Sequence, residues 1–310
     1  IMDEPSAALT NNELKYLFDI IRRLKKKGVS ILYISHRLGE IFEICDRVTV
    51  FRDGRYVDTL QVNETDTKQL VRLMVNRELS DIYPHAPFQR GKKALEVKNL
   101  STSLLKDINF AAYEGEILGF SGLVGAGRTE IMRAIFGADK INGGEITLYG
   151  QPYVPNSPKN AIKNGIGFIT EDRKQEGLLL NLSVKDNIVL ANLKDVSNAA
   201  TIINAQKVER AASTWCGKLN VKTPSINQLV SNLSGGNQQK VVVAKWLFSD
   251  CKILIFDEPT RGIDVGAKNE IYILMDELAR QGKAIIMISS DMPEMLGMAD
   301  RIIVLYEGKK

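Results

Sequence analysis

The sequence predicts an α/β fold with a parallel-sheet core and a helical subdomain, assembled from two related domains. Three observations predict it. Residues 1–56 match residues 255–310 at a constant offset of 254, without a gap: Asp3-Glu4-Pro5-Ser6 pairs with Asp257-Glu258-Pro259-Thr260, Ser35 with Ser289, and Asp46-Arg47 with Asp300-Arg301. Several motifs at one offset mean two related domains. In each copy a strand ending in Asp-Glu is followed by a helix and then by a second apolar strand, the βαβ order of a parallel sheet. Between the copies, an apolar strand runs into a glycine-rich turn that opens a helix.

The elements follow in order from hydrophobic spacing. Leu14, Leu17, Phe18, Ile21 and Leu24 recur at helical intervals, as do Ile271, Leu274, Met275 and Leu278. Each helix runs to a glycine, Gly28 or Gly282, and then to a short apolar strand, Ile31–Ile34 or Ala284–Ile288. Such stripes read as core packing. The opening Ile1-Met2-Asp3-Glu4-Pro5 reads like the end of a buried strand, so the chain is expected to enter its first domain in mid-fold. Leu70, Leu73, Met74 and Arg77 continue at helical spacing before Tyr83-Pro84-His85-Ala86-Pro87 and Arg90-Gly91-Lys92-Lys93 interrupt it. The expected organisation is therefore a C-terminal remnant of one domain at 1–77, a linker at 78–93, and a second domain at 94–310. In the second domain, strands are expected at 94–98 and 107–112, then Glu116 to Phe120. A helical subdomain is placed at about 178–248, with a helical stretch from roughly 183 in which Val208, Ala212, Trp215 and Leu219 share one apolar face.

Composition narrows the function. The 310 residues are 44% hydrophobic and 25% charged, ordinary values for a chain with a proper core. With 41 Lys plus Arg against 37 Asp plus Glu, the net charge of +4 lacks the basic footprint of a nucleic-acid binder. Cys45, Cys216 and Cys251 form no CxxC and do not cluster with His36 or His85, so a disulfide framework or zinc site is not expected and a reducing compartment fits. No apolar run is long enough to span a bilayer, and no secretory signal opens the sequence.

Gly122-Leu123-Val124-Gly125-Ala126-Gly127-Arg128-Thr129 keeps both framing glycines of the phosphate-binding pattern GxxxxGK[ST], with Arg128 in place of lysine. Glycines let backbone amides approach phosphate oxygens, and the helix N-terminus adds a favourable partial charge. Thr129 is placed to ligate Mg²⁺ through its hydroxyl. Arg128 keeps the charge but is a planar fork rather than a compact ammonium. Downstream, Lys252-Ile253-Leu254-Ile255-Phe256-Asp257-Glu258 is an apolar strand ending in paired acids, Asp257 suited to Mg²⁺ and Glu258 to polarising a water. Leu233-Ser234-Gly235-Gly236-Asn237-Gln238-Gln239-Lys240 puts Ser and two glycines at a helix start, a second anion site suited to a γ-phosphate presented by another domain.

At these residues the chain resembles the ATP-binding cassette (ABC) ATPases, and most closely the double-cassette ATPase subunits of bacterial ribose, galactose and xylose importers. The motifs that carry the resemblance are GLVGAGRTE at 122–130, EDRKQEGL at 171–178, LSGGNQQK at 233–240, DEPTRGIDVGAK at 257–268 and SSDMPEMLGMADRI at 289–302. The resemblance covers the whole chain and implies an α/β P-loop NTPase fold with a parallel-sheet core, N-terminal antiparallel strands and a helical subdomain, with ATP and Mg²⁺ as cofactors. It implies that two cassettes sandwich two ATPs head to tail, each between one P-loop and the opposite signature.

Site one would then use Asp3 for the metal, Glu4 to activate water and His36 on the γ-phosphate. The opposing cassette supplies Ser234, Gly235, Gly236 and Asn237, helped by Asp264. Site two departs from the pattern: Arg128 replaces the P-loop lysine, Glu171 the glutamine, and Ser290 aligns with His36. Thr10 stands where the first cassette's aspartate is looked for, and no aromatic occupies Ser101 to Lys106 for stacking on adenine. Site two is therefore expected to bind nucleotide and turn it over slowly or not at all.

The resemblance also implies transmembrane permease subunits as partners, reached through the 171–190 region. A periplasmic or lipid-anchored sugar-binding protein would act indirectly, and the seat would be peripheral, at the cytoplasmic face of the cell membrane. A first domain missing its P-loop half exposes strand edges that could self-associate. Two other readings stand beside this one: a soluble double-cassette ATPase, and a non-catalytic regulatory module that binds nucleotide without turnover.

Overall fold

The computed structural model describes residues 1–6, 9, 11–35, 37–52, 54–75, 83–84, 91–123, 125–198, 202–263 and 265–310. They form two compact units, one of residues 1–82 with 264–266 and the other of residues 83–263 with 267–310.

The first unit runs β1 (Met2–Asp3), α1 (Asn11–Lys26), β2 (Tyr33–Ile34), α2 (Leu38–Ile44), β3 (Arg47–Arg52), β4 (Arg55–Gln61) and α3 (Thr67–Val75). Met2 and Asp3 pair in parallel with Tyr33 and Ile34, the βαβ arrangement expected from the repeat. The helical stripe on α1 does bury: Phe18 and Ile21 close on Ile44 of α2, with Leu14, Leu17, Met2 and Tyr33 around them. The strand expected over Ile31–Ile34 is shorter than the sequence suggests, its ladder covering Tyr33–Ile34, with Leu32 and Ile34 65% and 46% exposed. Among the described residues its sheet has two strands. β3 and β4 form an antiparallel hairpin whose register shifts between Val50 and Phe51.

The second unit begins with β5 (Lys93–Ser101), β6 (Ile108–Tyr113), β7 (Ile117–Gly122), α4 (Arg128–Ile135), β8 (Gly143–Leu148), β9 (Gln151–Tyr153), α5 (Pro158–Lys163) and β10 (Ile166–Ile169). It continues with α6 (Val184–Val189), α7 (Ala205–Lys218), α8 (Gly235–Phe248), β11 (Ile253–Asp257), α9 (Val265–Arg280), β12 (Ala284–Ile288), α10 (Met292–Met298) and β13 (Arg301–Leu305). Four antiparallel strands in the order β6-β5-β8-β9 form one sheet, and five parallel strands in the order β10-β11-β12-β7-β13 form the other. Every residue of β10, β11 and β12 is buried, as a parallel sheet covered on both faces requires. The Asp-Arg pair of the repeat anchors β7 here: Asp300 accepts from the Ile117 amide at 2.8 Å, and the Arg301 guanidinium pairs with buried Glu116.

The stretch expected to be helical from 183 to 248 is broken into α6, α7 and α8, with 3₁₀ turns at 190–196 and 230–232. Asn192, at φ −142°, leaves helical geometry. The face of α7 is as expected, with Val208, Ala212 and Leu219 buried and Trp215 half-buried.

Lys245 of α8 is buried without a carboxylate partner among the described residues, its Nζ donating to the Gly177 carbonyl at 2.6 Å. Burial pushes its ammonium down from 10.5 to about 8. A group that gives up its proton more readily when folded than when unfolded costs stability below pH 8, and that cost fades as pH rises toward its unfolded value. Relative to Lys245→Met, the wild type should therefore gain about 1–3 kcal/mol between pH 7.5 and 10. Paired urea titrations measure this, and a gap independent of pH would contradict it.

Candidate functional site

The carboxyl ends of β7, β11 and β12 open on one side of the parallel sheet, where α/β proteins hold ligands. The loop leaving β7 turns sharply to start α4. Gly127, its last residue, sits at φ 101°, a left-handed conformation that a side chain disfavours, and a Cβ there would press on Leu105 at 2.8 Å. From α4, the Thr129 hydroxyl donates to Asp257 Oδ2 at 2.8 Å. The other carboxylate oxygen, Oδ1, is buried with no hydrogen-bond partner. Burial, which outweighs the help of the Thr129 hydroxyl, pushes Asp257 up to about 6. A buried carboxylate oxygen left uncompensated beside a hydroxyl is what a divalent cation satisfies, so these two residues fit Mg²⁺. Among the described residues no three His, Cys, Asp or Glu converge, so protein side chains alone do not complete a cation's coordination there.

Arg128 does not point into open space. Its Nη1 donates to the Ser289 carbonyl at 3.0 Å and lies 3.6 Å from Glu258 Oε1, with both side chains largely enclosed at 11% and 14% exposure. The Ser290 hydroxyl donates to Glu258 Oε2 at 3.2 Å. Burial raises Glu258 above the usual carboxylate range, with Ser290 and Arg128 opposing it. Arginine at the lysine position and serine at the histidine position thus both converge on one carboxylate.

Glu171 ion-pairs with Arg261. Together with Thr129, Arg133, Thr170, Arg173 and Asp257 they line a cleft of about 510 Å³. Ser234 is the exposed N-cap of α8, yet its side chain makes no capping bond and instead accepts from Asn237 Nδ2 at 2.9 Å. Asn237 in turn receives the Lys222 amide at 2.7 Å. The start of α8 is left as a helix end that its own cap residue does not satisfy.

The repeat survives in three dimensions. Glu4 and Glu258 both take left-handed backbone, at φ 43° and 46°, and each amide donates across the sheet at 2.9 Å, to Ile34 and to Ile288. In each copy a buried glutamate accepts from the same pair of aligned hydroxyls: Ser6 and Ser35 on Glu40, both at 2.9 Å, where Tyr33 adds a third at 2.8 Å, and Thr260 and Ser289 on Glu294. Burial alone pushes Glu40 up, but its hydroxyl partners and Arg37 bring it below the usual range. Asp291 stands where Arg37 stands in the first copy, and Glu294 is raised by burial. Sequence reasoning missed these two glutamates, although the fixed offset that pairs Glu40 with Glu294 is readable in the sequence. Asp3 and Glu4 lie exposed in the first unit, whereas Asp257 and Glu258 are enclosed in the second. His36, Val124, Asp264 and Thr10 lie outside the described residues.

Comparison with known proteins agrees with this geometry. The ABC transporter family model matches residues 105–261. The chain is 53% identical over 310 residues to the ribose import ATP-binding protein RbsA of Bacillus subtilis (strain 168), and 54% identical over 309 residues to the protein of that name from Lactococcus lactis subsp. cremoris (strain SK11). Each alignment covers 100% of this chain and 63% of the relative, so the chain spans less than two thirds of their length. Among solved structures, a nucleotide-free ATP-binding cassette from an ABC transporter superposes with a TM-score of 0.62 at 18% identity, over 70% of this chain and 89% of that one. CbiO1 from Clostridium perfringens gives 0.59 at 24% identity, over 70% of this chain and 86% of that one, and both establish the fold. Matched by the family model over residues 105–261 and built on the same fold, the chain belongs to the ABC transporter family.

Proposed function

We propose that the protein to which this chain belongs hydrolyses ATP to energise import of a monosaccharide, ribose-like or galactose-like. The observation that carries the reading is the identity to ribose import ATP-binding proteins along the whole chain, joined to a Thr129–Asp257 pair that fits Mg²⁺. Bound there, Mg²⁺ supplies charge neutralisation on the phosphates. The amides of 122–129 cradle phosphate oxygens, and Arg128 must leave Glu258 to add its charge to them. Ser234, Gly235, Gly236 and Asn237 complete the site of the opposing cassette, whose water-activating residues are Glu4 and His36, with Asp3 toward its metal and Asp264 aiding from this side.

The cassette holding residues 94–310 keeps nucleotide and turns it over slowly. The Ser290–Glu258 pair favours this, because a serine hydroxyl beside the carboxylate cannot exchange a proton near neutral pH as an imidazole does. The same pair favours, for that cassette alone, the second reading of a non-catalytic nucleotide-binding module.

Membrane permease subunits are the proposed partners, at the cytoplasmic face, with a periplasmic or lipid-anchored sugar-binding protein engaged only through them. No described helix is long and apolar enough to cross a membrane. Leu179, Leu182, Leu190 and Leu193 are exposed just beyond the 171–177 segment, an apolar surface suited to a permease. The exposed Leu32 and Ile34 suit self-association of the first unit. The full-length protein should sediment with membranes that contain the permease and not with membranes that lack it. Equal sedimentation with both, or with neither, overturns the transporter reading.

A further inference from the structure

A buried cation that the proposed chemistry does not use lies at the centre of three motifs. Arg173 opens a π-type turn, Arg173–Gly177, whose first amides are capped by Asp172: its Oδ1 accepts from Lys174 at 3.0 Å and Gln175 at 3.1 Å. The Arg173 side chain is only 9% exposed, and no carboxylate pairs with it among the described residues. Its fork closes on backbone instead, Nη1 donating to the Arg261 carbonyl at 2.8 Å and Nη2 to the Gly262 carbonyl at 3.0 Å. Nε is buried with no partner. A guanidinium satisfied by carbonyls alone is a costly way to fill a protein interior, since apolar side chains of that volume stabilise as well or better. Stability is therefore a weak reason for its presence.

Its surroundings supply a better one. A Cβ built on Gly235 would meet Arg173 Nη2 at 2.7 Å and the Gly262 carbonyl at 3.1 Å, so the end of the guanidinium packs closely against the start of α8. A side chain at 235 would have to displace one end of a guanidinium that two carbonyls hold. At the other end of the turn, the Gly177 carbonyl accepts from Lys245, again on α8. The Glu171–Arg261 ion pair gives a further tie between the segment before the turn and the loop after β11. The turn is thus fastened at one end to 261–262 and Gly235, and at the other to the body of α8.

We propose that Arg173 is a positioning residue that holds the glycines 235–236 and the loop 261–263 in register with the 171–177 turn, so that displacement of the 171–190 region reaches the signature. This rests on the reading above that Ser234 to Asn237 serve an ATP on the opposing cassette. Lysine at 173 cannot reproduce it, because a single ammonium cannot reach two carbonyls with a fixed fork.

Two measurements test it. In this chain, hydrogen exchange of amides 234–238 and 261–263 should quicken about tenfold or more in Arg173→Gln and Arg173→Lys, while amides of β7, β11 and β12 keep their protection. Unchanged exchange at both segments in a variant that folds overturns the proposal, and Arg173→Lys serves if Arg173→Gln does not fold. In the full-length protein with its permease, Arg173→Lys should lower kcat about 10- to 100-fold with KM for ATP nearly unchanged. Added to Ser234→Ala, it should cost nothing more, because both act through one element. Additive losses overturn the proposal. If Ser234→Ala alone leaves turnover intact, the reading of the signature fails, and the exchange data still decide what Arg173 holds.

Discussion

Glu4→Gln in the full-length protein should lower steady-state ATP turnover by about 10²- to 10⁴-fold, while Glu258→Gln leaves most of it. The two glutamates share left-handed backbone and the same cross-sheet hydrogen bond, so backbone geometry does not separate them. Their side-chain neighbours do. Glu258 faces Arg128 at 3.6 Å and the Ser290 hydroxyl at 3.2 Å, and a serine cannot exchange a proton near neutral pH as an imidazole does. The residue aligned with Ser290 in the first copy is His36. Initial rates at saturating Mg-ATP decide the matter, and equal losses from the two substitutions would contradict the asymmetry.

Asp257→Asn should weaken Mg²⁺-dependent nucleotide binding to this chain by about 10- to 100-fold or more, without lowering the Tm of the ligand-free protein. The two halves of this expectation have one cause. Oδ1 of Asp257 is buried and unpartnered, so the ionised carboxylate is an expense in the free protein and an asset when a cation arrives. Asparagine keeps the oxygen that accepts from Thr129 and removes the charge, which should hold Tm level or raise it by roughly 2–4 °C. Thermal scans with EDTA and with Mg-ATP separate the two effects. A clear fall in ligand-free Tm would mean that Asp257 serves the fold first.

How far the sequence reached differs from element to element. The parallel strands β11 and β12 are plain in it because a strand buried on both faces must be apolar throughout, and the α1 stripe is plain because Phe18 and Ile21 recur on one face. The same apolarity marks Ile31–Ile34, where the ladder covers only Tyr33 and Ile34. The glycine-rich loop and the paired acids were legible through spacing, and Thr129 and Asp257 do meet. Arg128 was legible as a departure, but its pairing with Glu258 was not, because residues 130 apart in sequence meet only through the sheet order. Arg173 and Lys245 read as surface charge in any linear view. Only packing shows that one lies beneath Gly235 and the other against Gly177.

The central claim is that the cradle at 122–129 holds nucleotide despite its arginine. Calorimetry of Mg-ATP and Mg-ADP on this 310-residue chain, beside Arg128→Lys, tests it most directly. Dissociation constants on the order of micromolar are expected for the wild type, with the lysine variant binding at least as well. No binding by the wild type, restored by Arg128→Lys, would contradict the claim: the arginine would then have switched the cradle off, leaving this cassette only its signature to offer.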